Sequence, residues 1–400
     1  LDASLLVPYL VDWAGFLARW LHIVAGIAWI GASFYFVWLD NHLREPPAEL
    51  KARGVAGHLW AVHGGGFYNP QKYLVAPAEL PRELHWFKWE AYVTWLSGMA
   101  LLVLVYYANA QAMLAGPAGH GPAVLIGISL ASLLVAWIVY DVLARLLGER
   151  PLLLGVLLAA FFTAAAWLLA QHLGGRAAAL HVGAMIGTVM AANVLMVIIP
   201  GQRRMVAAMR EGQSPDARDG ARSKQRSVHN NYLTLPVLFL MISNHSALIT
   251  HHPHSWAVLA LIGLAGVAIR HFFNRRHKGA TEWRWPLLGA LLIAAVIVWL
   301  APRPDARPAT GERTTVPTLA QVQAIMQARC VSCHAKQPTY PGFAAAPAGV
   351  MLETPAQLRQ HAQKVLQQTV LTQAMPIGNL TQMTAEERRL VGAWVRGGMP

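Results

Sequence analysis

The sequence predicts an all-α fold: an eight-helix transmembrane bundle followed by a small, separate C-terminal domain. Three observations predict it. Eight apolar runs have the roughly 20 residues needed to cross a hydrocarbon core about 30 Å thick. The chain is 55% hydrophobic and only 13% charged, where a soluble globular protein carries about 25% charged residues. Basic residues fall between alternate runs rather than along one amphipathic face. The net charge of +13 is therefore the signature of membrane orientation and not of a nucleic-acid-binding surface.

The runs cover residues 13–39, 90–110, 122–146, 151–172, 177–199, 232–249, 255–273 and 285–302. Backbone polar groups in a lipid bilayer must be satisfied within the segment, so each run is expected to be helical. Trp13, Trp86, Trp89, Trp256, Trp283 and Trp299 lie near run ends, where an aromatic belt belongs. Loops after the odd-numbered runs are basic, with Arg44, Lys51, Arg145, Arg150, Arg203, Arg204, Arg222, Arg275 and Arg276 among them. Loops after the second, fourth and sixth runs carry only Arg176. The odd-numbered loops are therefore expected in the cytoplasm. The N-terminus and everything after the eighth run are expected on the periplasmic side of a bacterial inner membrane. The sequence begins on Leu1, and its first apolar run is long enough to span, which favours a retained anchor over a cleaved leader. Domain organisation follows: a transmembrane domain over 1–302, a linker over 303–317 rich in proline, charge and small residues, and a soluble domain over 318–400.

The strongest motif lies in that last domain, at Cys330-Val331-Ser332-Cys333-His334. Two thiols at this spacing add across the vinyl groups of haem, and the adjacent histidine ligates the iron. A lone C-x-x-C also suits half a zinc site or a redox dithiol. The chain has only two cysteines, however, so zinc would lack its second pair. The C-terminal domain reads as a c-type cytochrome holding one covalent haem c. Attachment of such haem takes place outside the cytoplasm, where the charge bias independently places this domain. Met375, in Ala374-Met375-Pro376-Ile377-Gly378-Asn379, is the expected sixth ligand, because proline stiffens its loop and a Met/His pair raises the haem potential. Met351, Met383, Met399 and His361 are its competitors. The last helix should open on a Thr384/Glu387 capping box and pack Leu390, Val391 and Trp394 against the first helix of the domain.

The bundle carries motifs of its own. The stretch from Arg19-Trp20-Leu21-His22 through Gly26 and Gly31 to Phe34-Tyr35-Phe36 resembles the opening of the membrane-bound, cytochrome c-linked urate oxidases, the PuuD-type urate hydroxylases. His63-Gly64-Gly65-Gly66-Phe67-Tyr68 and Trp86-Phe87-Lys88-Trp89-Glu90-Ala91-Tyr92 are similar to that family's first cytoplasmic loop, and Ala374–Asn379 to its cytochrome ending. The order of eight helices and then a cytochrome matches over nearly the whole chain. The resemblance implies oxidation of urate to 5-hydroxyisourate, with oxygen from water. It also implies electrons leaving through haem c to a respiratory acceptor, either a soluble cytochrome or a terminal oxidase. Two other classes fit the same architecture: a quinol-oxidising respiratory cytochrome subunit, and a membrane anchor presenting a cytochrome to a partner oxidase.

Ionisable residues inside a membrane are candidate functional groups. Arg19, His22 and His181 are read as lying in the outer half of the bundle, with His22 and His181 at similar depth. They are expected to line a urate site, Arg19 pairing with the anion and His22 taking a proton. His22 and His181 could equally ligate a second haem b, or simply bond a neighbouring helix. His63 in its glycine-rich loop and the run His251-His252-Pro253-His254 are further candidates, the latter for metal. His229, Asn230, Asn231 and His271 are read as lying near the cytoplasmic face.

Overall fold

A computed structural model describes residues 3–73, 75–301, 316–341, 343 and 345–400, with side chains from Tyr9 onward. Nearly all of the expected linker, 303–317, lies outside the described residues.

The chain is mostly helical. Helix α1 (Ala3–His42) is a single helix of 40 residues, about 60 Å long at 1.5 Å per residue. It therefore overshoots the run read from hydropathy at both ends. Phe16, Trp20, Ile23 and Ile27 are exposed along it, as befits a face turned to lipid. A short α2 (Ala48–Ala52) follows.

Next come two antiparallel strand pairs that an all-α reading does not foresee. Strand β1 (Val55–His58) pairs with β4 (Gln71–Tyr73), and β2 (Ala61–His63) nests inside with β3 (Gly66–Tyr68). Gly64 and Gly65, at φ of +57° and +80°, form the two-residue turn of the inner hairpin. Two successive positive φ values are what such a turn requires, and glycine supplies them without strain. His63 stands exposed at this tip.

The remaining helices are α3 (Trp89–Leu101), a π-helical continuation Leu102–Tyr107 and the short α4 (Ala110–Met113); then α5 (Pro122–Leu146) and α6 (Pro151–His172), each opened by proline, whose missing N–H is no loss in a first turn. Helix α7 (Gly175–Ala192) passes through a second π-helical stretch, Asn193–Ile198, into α8 (Ile199–Arg210). Four more follow: α9 (Ala217–Ser243), α10 (Ala247–Thr250), α11 (Ser255–Arg276) and α12 (Arg284–Trp299). Among the described residues, six stretches are long and apolar enough to cross a membrane: Tyr9–His42, Trp89–Tyr107, Pro122–Leu146, Pro151–His172, Gly175–Arg210 and Ser255–Arg276. Arg284–Trp299 is apolar but shorter.

The sixth apolar run differs from its expectation. It does not begin a helix at 232 but forms the second half of α9, whose first half was read as loop. The reason is physical. Ser223, Arg226, Asn230, Thr234, Val237 and Leu240 are all buried at helical spacing, so the inward face is polar at one end and apolar at the other. Hydropathy sees only the apolar end.

Helix α7 is the centre of the bundle. Ala177, Ala178, Ala179, Val182, Gly183, Met185 and Val189 are buried along it. Gly183 and Gly187 let it approach Val237, Leu240 and Met241 of α9 closely.

The C-terminal part has a buried cluster of its own. Helices α13 (Leu319–Arg329), α14 (Pro355–Val365) with a π-helical extension Leu366–Leu371, and α15 (Ala385–Arg396) surround Val322, Met326, Leu358, Val391 and Trp394. Reciprocal capping boxes open all three helices, at Thr318/Gln321, Thr354/Gln357 and Thr384/Glu387. The turn at residues 377–379 rests near α4, and the Asn109 amide donates to the Pro341 carbonyl at 3.5 Å.

Candidate functional site

Two places gather reactive or polar side chains. In the C-terminal part, α13 ends at Cys330, whose N–H still bonds the Met326 carbonyl at 2.8 Å. The N–H groups of Cys333 and His334 return to the Cys330 carbonyl at 3.2 and 2.9 Å, closing a single turn. That turn sets both thiols and the imidazole against one cavity. Met375 lines the same cavity, with Tyr340, Phe343, Pro376, Ile377 and Leu380. The competitors lie elsewhere: Met383 is buried in the helical core and Met399 packs against it, while His361 and Met351 do not line the cavity.

The loop that carries Met375 is fixed from behind. The Arg388 guanidinium donates to the Met375 carbonyl at 2.7 Å, to the Asn379 side chain at 3.2 Å and to the Thr369 carbonyl. Asn379 in turn brackets Met383, accepting from its N–H at 3.0 Å and donating to its carbonyl at 3.2 Å. On the cysteine side, Arg329 bonds Glu387 at 3.0 Å and the Thr381 carbonyl at 2.6 Å.

These surroundings discriminate between the chemistries open to two cysteines. His334 Nδ1 donates to the Val350 carbonyl at 2.8 Å, which fixes the tautomer and leaves Nε2 as an electron-pair donor for a metal. Burial pushes the Cys330 thiol up to about 12, opposite to the depressed value a redox-active dithiol needs. Among the described residues no three His, Cys, Asp or Glu side chains stand together as a zinc site would require. An apolar cavity with two thiols, one oriented imidazole and one thioether fits a covalently held haem.

In the helical body the three outer candidates do not converge. Arg19 is exposed on α1. His22 Nδ1 donates to the Thr94 carbonyl at 2.9 Å and lies 3.1 Å from Ser97 Oγ, both on α3. His181 is 0% exposed, and its ring meets Tyr106 edge-on at 6.4 Å. Tyr106 lies roughly 13 Å beyond Ser97 along the same helical stretch. The reading of His22 and His181 at one depth is therefore corrected: α1 starts earlier than its apolar run, so counting inward from the run's edge misplaced His22. Both nitrogens of His181 are engaged, Nδ1 donating to the Ala177 carbonyl at 2.7 Å and Nε2 accepting from Ser129 at 2.5 Å. Tyr107 completes the chain with a 2.6 Å bond to Ser129.

A second network sits toward the basic loops. Tyr140 of α5 shares a 2.8 Å hydrogen bond with His229 of α9 and accepts from the Asn193 amide at 2.9 Å. Asn193 also donates to Asn230 at 2.8 Å, and Asn230 to the Met190 carbonyl at 2.9 Å. Arg226 reaches Asp141 at 2.8 Å and lies over the Tyr140 ring at 5.0 Å. The sequence pointed to His229 and Asn230 but missed Tyr140, Asp141, Asn193 and Arg226. Asp141 and Asn193, polar residues inside apolar runs, were the available signal. On the far side of α9, Asn231 accepts from Arg270 at 2.8 Å and Asn274 at 2.9 Å. Of the histidine-rich run, His251 is half-buried beside Thr250, while His252 and His254 lie against Trp299.

No curated protein and no solved structure matches the chain. Residues 8–301, nearly all of the helical body, match the urate oxidase N-terminal family, and the chain belongs to that family.

Proposed function

We propose that this chain oxidises urate to 5-hydroxyisourate within a membrane and that its residues 318–400 are a c-type cytochrome domain receiving the electrons. Family membership supports the substrate. The observation that carries the electron route is the single cavity shared by Cys330, Cys333, His334 and Met375. In the reaction, urate and water give 5-hydroxyisourate, two protons and two electrons. Cys330 and Cys333 would hold the haem as thioethers, with His334 and Met375 on the iron. When bound, that haem supplies a one-electron acceptor, emptied in turn by a soluble cytochrome or a terminal oxidase. Arg388 and Asn379 keep the Met375 loop in place, and the Val350 carbonyl keeps His334 turned. No second haem b forms part of this proposal: His181 Nε2 is bonded to Ser129, and His22 lies at a different depth against Thr94.

The localisation belongs to the same proposal: a bacterial inner membrane, with the basic loops in the cytoplasm and 318–400 outside. The test is anaerobic addition of urate to the purified, oxidised full-length protein while recording the haem spectrum. Growth of the reduced bands with urate is expected. Reduction by a quinol and not by urate would replace this reading with a quinol-oxidising cytochrome subunit.

A further inference from the structure

We propose that urate binds in the cavity beside the α5–α6 turn, reached from the arginine-rich side of the membrane, with Arg226 as the buried group that recognises it. The proposal rests on the reading that the chain acts on urate.

The cavity has a volume of about 830 Å³. Arg145, Arg150, Arg204, Arg222 and Arg226 line it, against two acids, Glu149 and Asp219. Asp219 pairs with Arg204 at 2.6 Å, and Asp141, just behind the wall, pairs with Arg145 at 2.7 Å and Arg226 at 2.8 Å. Arg150 and Arg222 are exposed and make no ion pair at contact distance among the described residues. The rim therefore keeps uncompensated positive charge. A concave, positive rim concentrates a small anion and speeds its capture. Urate is such an anion near neutral pH.

In the cavity wall Arg226 has one idle polar atom, and behind it Asn193, which does not line the cavity, has another. Arg226 is 4% exposed. Its one terminal nitrogen bonds Asp141, while the other is buried without a partner. Asn193 is 0% exposed. Its amide nitrogen serves both Tyr140 and Asn230, while its carbonyl oxygen is buried without a partner. Buried polar atoms are nearly always paired, so each idle atom calls for an explanation. The idle Arg226 nitrogen is a donor, and urate presents carbonyl oxygens along its planar edge, one of which Arg226 would take. Tyr140, bonded to His229 and Asn193 and lying under the Arg226 guanidinium, braces the wall from behind.

The backbone supports the same place independently. Asn193 opens the π-helical stretch Asn193–Ile198, and Met196 and Val197 of that stretch line the cavity. An α-helix that widens for one turn does so at some cost in regularity, and such turns concentrate at functional sites.

The experiment uses full-length protein in detergent, reduced with dithionite so that bound urate is not turned over, and measures urate binding by equilibrium dialysis. Arg226→Gln removes the buried guanidinium that meets the anion, and binding should weaken by about tenfold or more. The exposed pair Arg150→Gln/Arg222→Gln should weaken it about threefold and flatten its salt dependence, with haem content and melting temperature unchanged. Inorganic phosphate in excess should not displace urate. Wild-type protein that oxidises urate while all variants bind it within about twofold overturns this site and leaves the proposed function standing. Displacement by phosphate likewise overturns it, in favour of a general anion site. If wild-type protein neither binds nor oxidises urate, the functional reading falls and this inference with it.

Discussion

The C-terminal part and the helical body organise polar chemistry in opposite ways. In the former, the reactive groups come from one short stretch, 330–334, and from Met375, and all face one cavity. In the latter, one network draws on α5, α7 and α9, from residues far apart in sequence. Within the body there is a further contrast. The outer network of Tyr107, Ser129 and His181 is closed, since both imidazole nitrogens have partners. The inner network leaves polar atoms of Asn193 and Arg226 idle. A closed buried network fastens helices together, whereas an open one has capacity left for a ligand.

The largest expected effect tests the C-terminal cavity. Cys330→Ala or Cys333→Ala should abolish double covalent haem attachment while the helical body still inserts. Haem staining of denaturing gels decides it, and a full-strength band in both variants would remove the cytochrome from this account. Next in size, Met375→Ala should abolish the far-red sulfur-to-iron absorption band and lower the reduction potential, since methionine ligation raises it. A surviving band would transfer the ligand role to another methionine. Arg388→Met acts one step back. It strands the carbonyls of Thr369 and Met375, and should destabilise the C-terminal part by about 2–3 kcal/mol in denaturant unfolding.

A further variant sharpens the contrast inside the body. His181→Ala removes two hydrogen bonds and leaves a void in a fully buried site, for about 2–4 kcal/mol of destabilisation. The half-saturating urate concentration should stay at its wild-type value. Normal stability with lost urate binding would break the rule that the closed network is structural, and would return the substrate to the outer half with Arg19 and His22.

How much of this was legible in the sequence depended on contiguity. That Cys330, Cys333 and His334 face one cavity follows from their spacing along the chain, and Met375, which lines it too, was singled out by the proline that follows it. Capping at Thr384 was likewise legible from spacing. Most long helices showed in hydropathy, yet the first half of α9 did not, because its buried face is Ser223, Arg226 and Asn230. The depth of His22 was misread because depth is set by the partner helix, Thr94 and Ser97 on α3, and not by distance from the end of an apolar run. The paired strands around Gly64 and Gly65 were hidden in a loop whose glycines also suited a ligand.

The smallest effect concerns acid, and it separates the two ends of the body. His251 stands in the turn between α10 and α11, and burial followed by the nearby positive Arg176 pushes its imidazole down from 6.5 to about 4. A histidine lowered in this way is neutral when folded, whereas in the unfolded chain it takes up a proton near its ordinary value. The unfolded state then binds more protons throughout the window from 6.5 to about 4, so stability falls as the pH drops through it and is retained above it. His252 is also lowered, by burial first and then by His254, and so works in the same direction. His251→Gln removes one titrating group and leaves the others. Its melting temperature should therefore fall less steeply on acidification than that of the wild type, with the two converging in slope above pH 6.5. Urate affinity should not follow the melting curve in either protein over the upper part of this window, because the orphaned atoms of Asn193 and Arg226 lie toward the other face. Affinity that tracks the His251 titration would place the substrate near that turn and erase the distinction between a fastening end and a binding end.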